Sequence, residues 1–171
     1  MSTERDAALV EEACRKSAMS WLQPAGASRA TMAWHIWHEG AMYVVSGGRE
    51  QPLPPMSDGD QLTVTVRSKD TGGRLVAWVG VATTVEPGTP EWDSAVPELH
   101  AKRLNPTDGE LQPARWARES TVTRIAPTGE VVEAPGRMPH RSHAAEPPAS
   151  PATTRGALPF VVGRRARRRP R

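Results

Sequence analysis

The stretch QLTVTVRS, residues 61–68, constrains the fold most. Leu62, Val64 and Val66 alternate with Thr63, Thr65 and Arg67, a period of two that belongs to a strand with one buried face. KDTGG follows as a turn, and then RLVAWVGVATTVE (74–86), apolar on both faces and so expected at the centre of a sheet. A lone hairpin is marginal in water, so further strands have to extend this pair and something has to cover its apolar face.

The rest of the chain offers the missing pieces. Residues 29–46 read as a second hairpin: TMAWHIW alternates, Glu39-Gly40 turns, and AMYVVS returns. QPLPPMSDGD is a loop, because its three Pro cannot sit in a hydrogen-bonded ladder. SAMSWLQ (17–23) reads as a strand closed by the turn PAGAS. Before it, Thr3 can cap a helix whose apolar face carries Leu9, Val10, Ala13 and Cys14. Thr89-Pro90-Glu91 starts a second helix on which Trp92, Val96 and Leu99 share a face, and Pro97 is expected to split it. ARESTVTRIAP (117–127) is the last strand. Helix, strand, hairpin, hairpin, helix, strand amounts to a mainly β chain: five or six antiparallel strands and two flanking helices, the content of a small β-barrel.

Charge divides the chain in two. Residues 1–136 hold 13 Lys and Arg against 18 Asp and Glu, a net of −5, whereas 137–171 hold nine Arg against Glu146, a net of +8. The basic balance therefore belongs to the end of the chain, and the folded part is acidic. We expect a barrel domain over 1–134 and a disordered Pro/Arg-rich basic tail over 135–171, which lacks the apolar content to offset its ordering entropy. Such a tail neutralises phosphates without reading sequence, and it lacks interleaved aromatics, so nucleic acid is not the expected partner.

Several function classes fall away. Cys14 is the only cysteine, so no intrachain disulfide can form. No run approaches the length of a membrane span and the first residues carry no signal-like apolar core, so the expected location is the cytoplasm. There is no nucleophile triad order, no paired-carboxylate segment and no dinucleotide glycine fingerprint. His35 and His38 stand on opposite faces of a strand with no third ligand nearby, so no metal is expected. Six Trp against one Tyr and one Phe are expected in the core or between subunits, with one or two facing a planar ligand.

In its order of elements, over roughly residues 8–127, the chain resembles the flavin-binding split barrels. These are pyridoxamine 5′-phosphate oxidase and its actinobacterial flavin- and deazaflavin-binding relatives. The segments that carry the resemblance are ATMAWHIWHEGAMYVVSGG, QLTVTVRS and RLVAWVGVATTVEPGTPEWD. It implies a homodimer with FMN, or the deazaflavin F420, in a groove between two barrels, and a two-electron oxidoreductase of unknown substrate. It implies Ala33, Trp34 and His35 along the ring system, with Ser46, Arg49, Arg67, Ser68 and Lys69 at strand ends near the phosphate. The C-terminal basic motif of the oxidase is missing, which argues against pyridoxamine phosphate as substrate. Two alternatives stay open: a non-catalytic module holding flavin, haem or nothing, and a nucleic-acid-associated protein acting through its tail.

Overall fold

In the computed structural model, which describes residues 2–106 and 108–140, both strongly patterned segments are paired strands. β5 (Gln61–Arg67) lies antiparallel to β6 (Arg74–Thr84), with Leu62, Val64 and Val66 fully buried. β1 (Met19–Pro24) and β2 (Thr31–Trp34) extend the sheet on one side, and β7 (Thr121–Glu133), β4 (Ala41–Ser46) and β3 (Ile36–His38) on the other. The order β2-β1-β5-β6-β7-β4-β3 is antiparallel throughout. β2 and β3 are the two edges of this sheet, yet only His35 separates them in the chain. One residue can join both edges only if the sheet rolls until they meet. The result is a split β-barrel.

Helices close both sides of the wall. α1 (Ser2–Lys16) sets Val10, Ala13 and Cys14 against the barrel interior of Leu22, Met42, Val64, Val66, Trp78 and Ile125. α2 (Pro90–Lys102) and α3 (Gln112–Glu119) cover the outer face of β4 and β7, where Tyr43, Val45 and Val122 meet Trp92, Val96, Leu99 and Trp116. Thr89 caps α2 by accepting from the Trp92 amide at 3.2 Å. In β6 only glycine fits at position 80. A Cβ there would stand 2.5 Å from Ile125 Cγ2 and 2.9 Å from Trp78 Cζ3, and the strand register shifts at this point.

The structure differs from the sequence expectation in four places. The first helix begins at Ser2, so Thr3 lies inside it and not at its cap. The strand expected through residues 31–38 is broken at His35, and its halves pair with different neighbours, β1 and β4. Pro97 does not divide α2, because the buried face of Trp92, Ala95, Val96 and Leu99 packs on both sides of it. Residues 117–119 belong to α3, an additional helix ahead of the last strand, so three helices flank the barrel where two were expected. Residues 141–171, most of the expected tail, lie outside the described residues.

Candidate functional site

The bend that joins the sheet edges is held by a buried histidine. His35 donates its backbone N–H to the Ala18 carbonyl at 3.1 Å. Its Nε2 stands 3.2 Å from the Cys14 carbonyl and its Nδ1 3.3 Å from Ser20 Oγ. A carbonyl only accepts, so Nε2 carries the proton and the Ser20 hydroxyl donates to Nδ1. Burial pushes the imidazole pKa down to about 4, overriding the bond to the Cys14 carbonyl, which favours the charged form. His35 is thus a neutral bracket between α1, β1 and the bend, with both ring nitrogens engaged.

Around this bend opens a cleft of about 770 Å³. Its walls are the end of α1 and start of β1 (residues 14–19), the bend itself (34–39) and the end of α2 (Glu98 and Lys102–Leu104). Trp34 gives it a half-exposed aromatic face. Trp37 closes it from behind, packed edge-on against Trp78 with centroids 6.2 Å apart. Arg15, Lys16, Lys102 and Arg103 stand on its rim against Glu39 and Glu98. Cys14 lines it too, but burial drives the thiol pKa up to about 12, which leaves no nucleophilic thiolate near neutral pH. His38 borders the cleft with Nε2 2.7 Å from Ser94 Oγ.

Behind Trp34 a buried carboxylate ties its own loop to α3 and to the end of α2. Glu50 Oε1 accepts from Gln112 Nε2 at 3.1 Å, Arg115 Nη2 at 2.9 Å and Trp116 Nε1 at 2.9 Å, and Oε2 accepts from Arg103 Nε at 3.1 Å. Burial alone would raise the Glu50 pKa, but these donors outweigh it and hold the carboxyl below its ordinary range. Arg115 also pairs with Asp108. Next to Glu50, the Gln51 side chain bonds both the N–H and the C=O of Trp34, at 2.8 and 3.0 Å, and so fixes the end of β2. Arg103, anchored by Glu50, places its guanidinium carbon 5.3 Å from the Trp34 ring centroid.

The residues singled out in the sequence fall in three places. Trp34 and His35 line the cleft, while Ala33 is fully buried in the barrel interior. Ser46 ends β4 opposite Thr121, and Arg49 reaches Asp108 at 3.5 Å. The glycine pair before Arg49 serves close packing: a Cβ on Gly48 would stand 2.8 Å from the Glu119 carbonyl oxygen. Arg67 ends β5 opposite Arg74, and Ser68 and Lys69 enter the β5–β6 turn, which the Ser68 amide closes on the Gly73 carbonyl at 2.7 Å. None of Ser46, Arg49, Arg67, Ser68 and Lys69 lines the cleft. Among the charged groups that do line it, Arg103, held from behind by Glu50, carries no motif in the sequence. Among the described residues, no group of three His, Cys, Asp or Glu side chains is placed to hold a metal ion.

No family model matches the chain, and no curated protein matches it by sequence. Solved structures with a similar course include HutZ, the heme storage protein from Vibrio cholerae. It is 12% identical with a TM-score of 0.48, over 71% of this chain and 89% of that one. The FAD binding protein from Mycobacterium smegmatis is also 12% identical, with a TM-score of 0.42, over 75% of this chain and 89% of that one. A candidate pyridoxamine 5′-phosphate oxidase from Listeria innocua is 13% identical with a TM-score of 0.45, over 77% and 98% of the two chains. Likeness at these values says nothing about chemistry; the barrel assignment rests on the strand order and on the single-residue link between its edges.

Proposed function

We propose that the chain is a flavin-binding split-barrel protein, with FMN or the deazaflavin F420 in the cleft at the β2–β3 bend, acting as a two-electron oxidoreductase. The observation that carries this is the pairing, in one cleft of about 770 Å³, of a Trp34–Trp37 aromatic wall with a rim of four cations. An aromatic wall favours a planar ring and the cations favour an anionic appendage, which together describe a flavin nucleotide better than a neutral metabolite. When bound, a flavin supplies the hydride chemistry, and the chain supplies position and electrostatics. Trp34 and Trp37 would exclude water from one ring face, and His38, hydrogen-bonded to Ser94, borders the cleft. A haem is disfavoured because neither histidine in the cleft wall has an uncommitted Nε2: His35 uses it on Cys14 and His38 on Ser94.

A homodimer completes the proposal. Leu104 lies at the cleft mouth and is 80% exposed, so a second copy covering it would shut the cleft from solvent. The test is a visible absorption spectrum of the purified protein, before and after incubation with FMN or deazaflavin. A stoichiometric flavin band, bleached by NAD(P)H or reduced deazaflavin, is the expected result. A protein that takes up neither cofactor refutes the proposal, and a band that never bleaches makes it a carrier and not an enzyme. Sedimentation at micromolar concentration should show a dimer in a cytoplasmic-like buffer.

A further inference from the structure

Among the four rim cations, Arg103 differs from the rest in how it is held. Arg15 and Lys16 are spent on the acids one turn back in their own helix, Glu11 and Glu12. Lys102 is exposed and no ion pair or hydrogen bond restrains it among the described residues. Arg103 sits just past the end of α2, with Nε on Glu50 and Nη1 on the Leu104 carbonyl at 3.2 Å, while its plane lies over Trp34. That leaves Nη2 without a protein partner among the described residues, on a side chain that lines the cleft. The Trp34 Nε1 hydrogen, buried in the same wall, is also without a partner.

We infer that Arg103, fixed over Trp34 by Glu50, is the anion-recognition group of this cleft and takes a phosphate-class oxygen through Nη2, with Glu50 as its positioning residue. The inference deepens the proposed flavin site but concerns only the anionic end of its ligand, which a free phosphate shares. Three physical reasons favour it. A guanidinium held at two of its edges loses less freedom on binding than a mobile lysine. A charge-assisted bond to phosphate is among the stronger ones, and stronger still beside an aromatic wall that excludes water. Finally, the Arg103–Glu50 pair is anchored by Gln112, Arg115 and Trp116, so the guanidinium is aimed before any ligand arrives. Arg49, Arg67 and Lys69 would then contribute only to the longer-range field.

The full-length protein should be titrated calorimetrically at low salt with inorganic pyrophosphate, and in parallel with FMN and with riboflavin, which lacks the phosphate. The wild type should bind pyrophosphate saturably, and Arg103→Ala should weaken pyrophosphate and FMN at least tenfold while riboflavin changes less than twofold. Arg103→Lys should fall between. Glu50→Gln should weaken pyrophosphate several-fold and shift the fluorescence of the unliganded protein as Arg103 leaves Trp34. If it melts lower yet binds pyrophosphate unchanged, Glu50 is structural only. Should Glu50→Gln not fold, Arg103→Ala still decides the anion assignment. Absence of pyrophosphate binding, or equal binding by Arg103→Ala, overturns the inference. Pyrophosphate binding that depends on Arg103, with no uptake of either flavin, leaves the inference standing and removes the flavin reading.

Discussion

Three side chains, the buried His35 and Glu50 and the partly buried Trp34, decide what this molecule can do near its cleft, and the first two yield direct measurements. His35 takes up a proton more readily in the unfolded chain, near its ordinary value, than in the fold, where the value drops to about 4. The sign follows: its contribution is complete above about pH 6.5 and is lost as pH falls toward about 4, by up to about 3 kcal/mol. Urea denaturation of the wild type and of His35→Gln should show an advantage for the wild type at about pH 7 that shrinks by about pH 4.5. An advantage that does not change with pH would mean that burial leaves the imidazole pKa where it stands in the unfolded chain. Glu50 is the sharper case, because its side chain is only 1% exposed and faces two arginines. Removing one partner of a buried ion pair strands the other, so Glu50→Ala should lose about 3–5 kcal/mol, against a smaller loss for Glu50→Gln, which keeps an acceptor for Trp116. A loss below about 1 kcal/mol for the alanine variant would show that Arg115 finds another outlet.

At the scale of elements, α2 carries a removable strain. Pro97 is exposed inside a helix whose buried face is continuous past it. An interior proline costs about 3 kcal/mol relative to alanine, offset by about 0.4–1 kcal/mol from its stiffening of the unfolded chain. Pro97→Ala should therefore raise stability by about 2–2.6 kcal/mol, read as a higher melting temperature with cofactor uptake unchanged. A lower melting temperature would show that the ring packs on something its exposure does not suggest. The same helix shows where the sequence could be read and where it could not. β5, β6 and the start of α2 were legible because alternation and a proline at the first helical position are local signals. α3 was not, because its inward positions are Gln112 and Arg115 beside Trp116, buried only through the acceptor that Glu50 offers from another element. Breakage of the 31–38 segment was hidden for a similar reason: His35 continues the alternation but is bonded to Cys14 and Ala18, residues no periodicity links to it. Trp34 and His35 could be picked out of the candidate site as a dense aromatic cluster. Arg103 could not, since nothing in the string VPELHAKRLN announces a guanidinium over a tryptophan.

For the whole molecule, the uneven charge gives a prediction of its own. The nine Arg of residues 137–171 contrast with a remainder of net −5, so attraction to nucleic acid should arise from counterion release at that segment. Binding to DNA should be independent of sequence and fall steeply between low and moderate salt, as a filter or fluorescence-anisotropy titration would record. Affinity that survives moderate salt, or that discriminates between sequences, would assign the barrel itself a role in it.

The one-residue link at His35 also bears on solubility. An open edge strand is a template for pairing with another chain, and proteins usually protect each edge separately. Here a single bend keeps two edges facing one another, so loosening it would release both rows of unpaired peptide groups together. The cleft is built from the same bend, and a chain with parted edges has no cleft left to fill. A ligand seated there therefore binds only the closed form and draws the population toward it. Occupancy of the cleft and resistance to strand-exchanged aggregation should rise and fall as one property.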